Sequence, residues 1–206
     1  MGTVVDIRPI VRSEMQFRIK GTSPLIVHAW SDKAKRMMRE KQAGKKTKTR
    51  EARDPEAEVD AALYRTAEGE IGLPGMGFKN ALVSAAHKDL GIDKTMVRKA
   101  VFLRTSDPEK VLPLIADGYE TREDMVRVGM GTADLRYRPM FTHWACDVTL
   151  EIDADLLKPD DILTLVDRAG FGVGICEWRP EKDGEFGRFA VDRTHAILVR
   201  ALADGE

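Results

Sequence analysis

The residues best suited to chemistry in this chain are glycines beside cations and aromatics. Gly170-Phe171-Gly172-Val173-Gly174 leads to Trp178, Arg179, Gly184 and Gly187-Arg188-Phe189, and an earlier turn reads Gly72-Leu73-Pro74-Gly75-Met76-Gly77-Phe78-Lys79. Glycine admits positive φ and lets peptide N–H groups approach a ligand, and a helix N-terminus adds a dipole that favours phosphate. The chemistry on offer is the holding of anions, with Gly75, Gly77, Lys79, Gly172, Gly174, Arg179 and Arg188 as candidate contacts and Trp178 as a surface for stacking beside a guanidinium. The simpler readings are a tight strand-to-helix connection for the first turn and a helix terminator for the second. The first turn is not a P-loop, because Phe78 separates Gly77 from Lys79 and Asn80 stands where a magnesium-binding Ser or Thr is needed. The second follows a helix rather than a strand, so it is not a dinucleotide fingerprint.

Catalytic constellations are sparse. His28, His87, His143 and His195 fall in separate segments with no i,i+4 pair, and Cys146 and Cys176 lack metal-type spacing, so neither a metal nor another cofactor is expected. Asp32, four residues after His28, is the one candidate catalytic carboxylate. It competes with a role as the cap of the helix that starts there.

A net charge of -1 hides an asymmetry, because Lys33 to Arg53 carries ten Lys or Arg against two Glu, a local +8 that leaves the rest at -9. Lys35, Arg36, Lys45, Lys46, Lys48 and Arg50 there would attract a polyanion, with Trp30 at the edge of the segment as a stacking group. A solvated helix face is the plainer alternative. At 43% hydrophobic and 33% charged residues the chain is of globular composition, and it shows neither a membrane-length apolar run nor a secretory leader, so a cytoplasmic protein without membrane partners is expected.

Periodicity places these groups on elements. Met15, Phe17 and Ile19 alternate with polar residues in a strand that carries Arg18 and Lys20 on its other side, and Trp144, Cys146, Val148, Leu150 and Ile152 form the clearest strand. Helices are expected from Ser31 or Asp32 to Gln42, from Pro55 to about Tyr64, from Phe78 to Leu90 with Gly91 as stop, and from Pro159 to a stop at Gly170. Val101–Leu103, Phe189–Val191 and 196–202 read as strands, and Asp107-Pro108 as the start of a helical excursion. The order predicts an α+β, ferredoxin-like (RRM-like) split βαβ sheet with two insertions: one domain over 1–206, a basic helical insertion at 29–70, and an inserted arm at 104–138 that carries Arg136 and Arg138. Both helices on one face would leave Arg18, Lys20, His143 and Arg188 on an uncovered face suited to a polyanion, but Asp147 and Glu151 project there as well, so the face is not expected to be uniformly basic.

Four motifs in this order resemble the RAMP superfamily, the repeat-associated proteins that include the backbone subunits of CRISPR effector complexes. They are Gly21-Thr22-Ser23-Pro24-Leu25-Ile26, the turn from Leu73 through Leu82, the late amphipathic helix, and the Gly-rich loop into Gly187-Arg188-Phe189, spanning roughly 14 to 192. The resemblance implies a modified RNA-recognition fold whose copies stack along a guide RNA. Its partners would be single-stranded RNA, copies of itself and other ribonucleoprotein subunits. A phage relative that binds or anneals single-stranded DNA fits the same motifs, and a metal-dependent RNA endonuclease subunit would use Asp32.

Overall fold

The computed structural model describes residues 9–30, 32–44, 53–128 and 132–203. In chain order the elements are β1 (Arg12–Gly21), β2 (Leu25–Ile26), α1 (Asp32–Gln42), α2 (Pro55–Ala61), β3 (Tyr64–Arg65), β4 (Ile71–Pro74), α3 (Gly75–Leu90) and α4 (Lys94–Ala100). There follow β5 (Val101–Leu103), β6 (Val111–Ile115), β7 (Glu120–Val128), β8 (Thr132–Phe141), β9 (Ala145–Asp153), α5 (Pro159–Arg168), β10 (Phe189–Val191) and β11 (Leu198–Ala201). The fold is mixed α+β, and every pairing between described strands is antiparallel.

The long strands β1 and β9 form the centre of an eight-stranded sheet ordered β10-β1-β9-β6-β4-β3. Each has its outer edge covered by two short strands in succession. Along β1, β11 pairs with Ser13 to Gln16 and β10 with Ile19 to Gly21. Along β9, β5 pairs with Leu150 to Ile152 and β6 with Ala145 and Cys146. Covering the edges in this way satisfies backbone groups that would otherwise template intermolecular pairing.

Alternation puts Met15, Phe17, Ile19, Cys146, Val148, Leu150 and Ile152 on one face, all buried, where they meet Phe78, Ala81, Leu82, Ala85 and Ala86 of α3 and Ile162, Leu165 and Val166 of α5. Full burial of such a side chain contributes about 1.5–3 kcal/mol. α3 ends at Gly91 with φ 67, the left-handed conformation that terminates helices. α5 starts on Pro159, with Asp161 accepting from the Lys158 N–H at 3.3 Å.

Three expectations need correction. α5 does not stop at Gly170 but runs on into a π turn over Ala169–Val173, because the missing Cβ lets Gly170 pass against Phe189, whose carbonyl oxygen would lie 1.9 Å from a side chain there. The helical excursion expected at Asp107 is a turn. Its carboxylate accepts from the N–H of Val111 and of Ala67, both at 2.8 Å, and delivers the chain into β6 of the main sheet. The part of 104–138 that leaves the sheet is therefore narrower than expected: the β7–β8 hairpin, which with β2 forms a second sheet ordered β2-β8-β7.

Candidate nucleic-acid interface

The face of β1 and β9 away from the helices was expected to present cations suited to a polyanion with Asp147 and Glu151 among them, and in the structure those cations are tied up in ion pairs. Arg18 grips Asp147 through two bonds of 2.7 and 2.8 Å, and its third nitrogen lies 2.8 Å from His195 Nε2. A guanidinium only donates, so Nε2 accepts and the Nδ1–H of His195 donates to Asp192 at 2.8 Å. Lys20 reaches Asp192 at 3.7 Å. Buried Glu14 takes Arg200 at 3.1 Å and Arg104 at 3.3 Å, and Arg12 pairs with Glu151 at 3.1 Å. The guanidinium of Arg200 and the other cations beside it hold the Glu14 carboxyl below its ordinary value, and Arg18 does the same to Asp147. A strand laid here would have to displace carboxylates from the cations they hold.

Arg188 does not join that row. Its guanidinium lies 4.8 Å from the centre of the exposed Phe171 ring, and its buried Nε meets no acceptor among the described residues. His143 is exposed and lines a separate cavity of about 300 Å³ with Asp117 and Tyr119.

The two glycine-rich turns converge on the other side. Gly77 and Gly174 line one cavity of about 570 Å³ together with Asn80, Ser84 and Lys88 of α3, Lys94 and Arg98 of α4, Tyr64, Cys176, and Glu177, Arg179 and Glu181 of the loop after α5. α3 packs against both α4 and the π turn, and one carboxylate joins helix to loop. Glu181 accepts from Ser84 Oγ at 2.6 Å, Lys88 Nζ at 2.8 Å and Arg179 at 3.1 Å. Lys88 and then Ser84 hold the Glu181 carboxyl down to about 2. Four cations thus face two carboxylates in the lining. Lys88 and Arg179 are engaged with Glu181, whereas the side chains of Lys94 and Arg98 meet no acid among the described residues.

The loop owes its form to unusual backbone. Gly174 and Gly187 adopt φ of 68 and 66, and the non-glycine residues Cys176 and Trp178 adopt φ of 62 and 52. Left-handed backbone costs a side-chain-bearing residue roughly 1–2 kcal/mol, and such strain persists only where surroundings enforce it. Here the enforcing bonds are Ile175 N–H to Gly187 O at 2.9 Å, Glu177 N–H to Ile26 O at 3.0 Å, and Phe186 N–H to Trp178 O at 3.0 Å. The outcome is an exposed Trp178 between Glu177 and Arg179, which line the cavity, while Trp178 itself is not part of the lining. Burial pushes the Cys176 thiol and the Tyr64 phenol up to about 12, so both remain protonated at neutral pH.

The remaining expected residues divide clearly. Gly75 packs against the Lys110 carbonyl, 2.5 Å from where a Cβ would stand, and serves helix-to-sheet contact, whereas Gly172 faces open space apart from Asp89. Lys79 turns to the Arg98 carbonyl at 3.0 Å and lies over Phe102, where burial lowers its pKa. Arg138 is only 3% exposed and is tied to Asp124 at 3.3 Å and Glu177 at 3.7 Å, so it braces the hairpin against the loop and is not open to a ligand. Arg136 is half-buried nearby. Burial and then Arg138 lower the pKa of His28. Trp30 and Arg36 are exposed, Lys35 lies on α1, and Asp32 is its first residue. Lys45, Lys46, Lys48 and Arg50 lie outside the described residues.

Lys88, Lys94, Arg98, Asn80 and Ser84 were absent from the expected set. A usable signal existed for α4: Asp93 caps it by accepting from Thr95 N–H and Met96 N–H, and Lys94 and Arg98 follow at i,i+4, hence on one side. No helix among the described residues is long and apolar enough to cross a membrane. Comparison of the chain with models of protein families and with curated proteins finds no match.

Proposed function

We propose that this protein binds single-stranded nucleic acid in the groove between α3, α4 and the glycine loop, and that copies of it line up along the strand. The observation that carries the reading is the convergence of both glycine turns on one cavity, with Lys94 and Arg98 in its lining and no acid paired to them among the described residues, and with an exposed Trp178 on the strained backbone between two lining residues. Cations and peptide N–H groups suit phosphates, and an exposed indole suits a base, worth ~1–3 kcal/mol per stack. The basic run from Lys33 to Arg53 adds attraction without sequence preference. RNA is favoured over DNA by the resemblance to RAMP proteins alone, and the corresponding role is a backbone subunit of a ribonucleoprotein.

The fold supports the same reading. We read β1, α3, β5 with β6, β9, α5 and β10 as the successive units of a ferredoxin-like split βαβ sheet, a reading that the neighbour order β10-β1-β9-β6 supports, with α1, α2 and the β7–β8 hairpin as elaborations.

Fluorescence anisotropy with single-stranded RNA, single-stranded DNA and duplex across a salt series tests this. Single strands should bind more tightly than duplex, and Lys94→Ala with Arg98→Ala should flatten the plot of log K against log salt by about 1.4, two phosphates at about 0.7 each. Equal affinity for all three nucleic acids, or an unchanged slope in the double variant, contradicts it.

A further inference from the structure

The cavity contains groups that a phosphate would not use. The Asn80 amide lines it, is exposed, and has no hydrogen-bond partner among the described residues. Tyr64 contributes a half-buried phenol, and Glu177 and Glu181 contribute carboxylates that repel anions. An amide, a phenol and acids suit a neutral ligand that carries donors and acceptors along one edge, which describes a nucleobase. Lys94 and Arg98, on one side of α4 with no acid paired to them among the described residues, suit the phosphate attached to it. A space of about 570 Å³ is far larger than a phosphate requires and lies within the range of small-molecule sites.

We propose that the cavity takes one nucleotide of the bound strand base-inward, with its phosphate on Lys94 and Arg98 and its base edge on Asn80, making Asn80 the residue that distinguishes bases. This rests on the strand-binding reading above and adds to it a sequence preference that a purely electrostatic groove lacks. The charge and the chemistry are divided: the cations set how tightly any strand binds, and the amide sets which one.

The test uses the full chain and five strands of one length, four homo-oligonucleotides and one abasic strand, with wild type and Asn80→Ala compared by anisotropy. Alanine at this exposed helical position favours the helix over asparagine, so the variant folds. The wild type should spread the four bases over about five-fold or more in affinity, the low end of what one amide-to-base pair of hydrogen bonds supplies, and bind the abasic strand more weakly. Asn80→Ala should compress the spread to less than about two-fold with the salt slope unchanged. An equal spread in both proteins, or an abasic strand held as tightly as the others, overturns the base pocket and leaves strand binding standing. Failure of the wild type to bind any strand overturns both.

Discussion

Ser84 on α3 donates to Glu181 in the glycine loop at 2.6 Å, and this hydrogen bond ties two walls of the candidate groove together. The ionised form of Glu181 is favoured in the folded protein, its carboxyl lying at about 2 against an ordinary 4.5, so the unfolded chain takes up the proton first as pH falls. Its stabilisation is complete above about 4.5 and disappears towards 2. Asp192, held at about 2 by Thr194 and then His195, behaves alike. His28, lowered from 6.5 by burial, adds an earlier loss, since below 6.5 the unfolded chain binds a proton that the folded one resists. Urea midpoints should be flat between about pH 7 and 8, decline gently below 6.5 and steeply below 4.5, and decline again above about 9, where the unfolded chain's Cys176 thiol ionises and the folded one does not, with His28→Gln removing the gentle step. A midpoint that holds or rises between pH 7 and 3 would be incompatible with these linkages.

Glycine substitutions should separate by sign. A Cβ at Gly170 would lie 1.9 Å from the Phe189 carbonyl oxygen, which belongs to backbone and cannot move aside cheaply. Gly170→Ala is expected to destabilise by about 2–3 kcal/mol. At Gly77 the nearest neighbour is the Pro74 ring at 3.5 Å and the position is helical, so Gly77→Ala should be neutral or stabilise by up to about 1 kcal/mol. Thermal unfolding of both variants decides this, and equal losses would sink the distinction.

Arg138 is expected to act on stability. Arg138→Met removes one of the two cations on buried Asp124, leaving Arg122 at 2.8 Å, and should cost about 1.5–3 kcal/mol, the loss of a charged hydrogen bond. Arg136→Met, at a half-buried neighbour, should stay within about 0.5 kcal/mol. Chemical denaturation of the two proteins would show the ranking, and a mild Arg138 variant would mean that hairpin and loop are braced by something else.

Much of the sheet was legible in sequence, because strict alternation in β1 and β9 reports burial on one side only. The partners of Arg18 and Glu14 were not legible, since they follow from register: Arg18 faces Asp147 and Glu14 faces Arg200 only once β1 is aligned with β9 and β11. That Asp147 and Glu151 lie on the same face as Arg18 follows from alternation, but which cation each one neutralises follows only from that alignment. β6 was hidden by Pro113, a residue that argues against a strand until its position within one is seen. Both glycine turns were recognisable from composition. That they share a cavity depends on α3 packing beside the π turn, and the cations of α4 were overlooked because seven residues give too short a periodicity to stand out.

The central claim is that a strand enters the groove on the helical side. The most direct measurement is the titration of isotope-labelled protein with a short single-stranded RNA, following backbone amide shifts residue by residue. The account predicts that the largest changes fall on Gly77, Asn80, Ser84, Lys94, Arg98 and Gly174 through Glu181, with Gln16, Arg18 and Thr149 on the opposite sheet face unmoved. Changes concentrated on Gln16, Arg18 and Thr149, or a spectrum unaltered at saturating RNA, would contradict it.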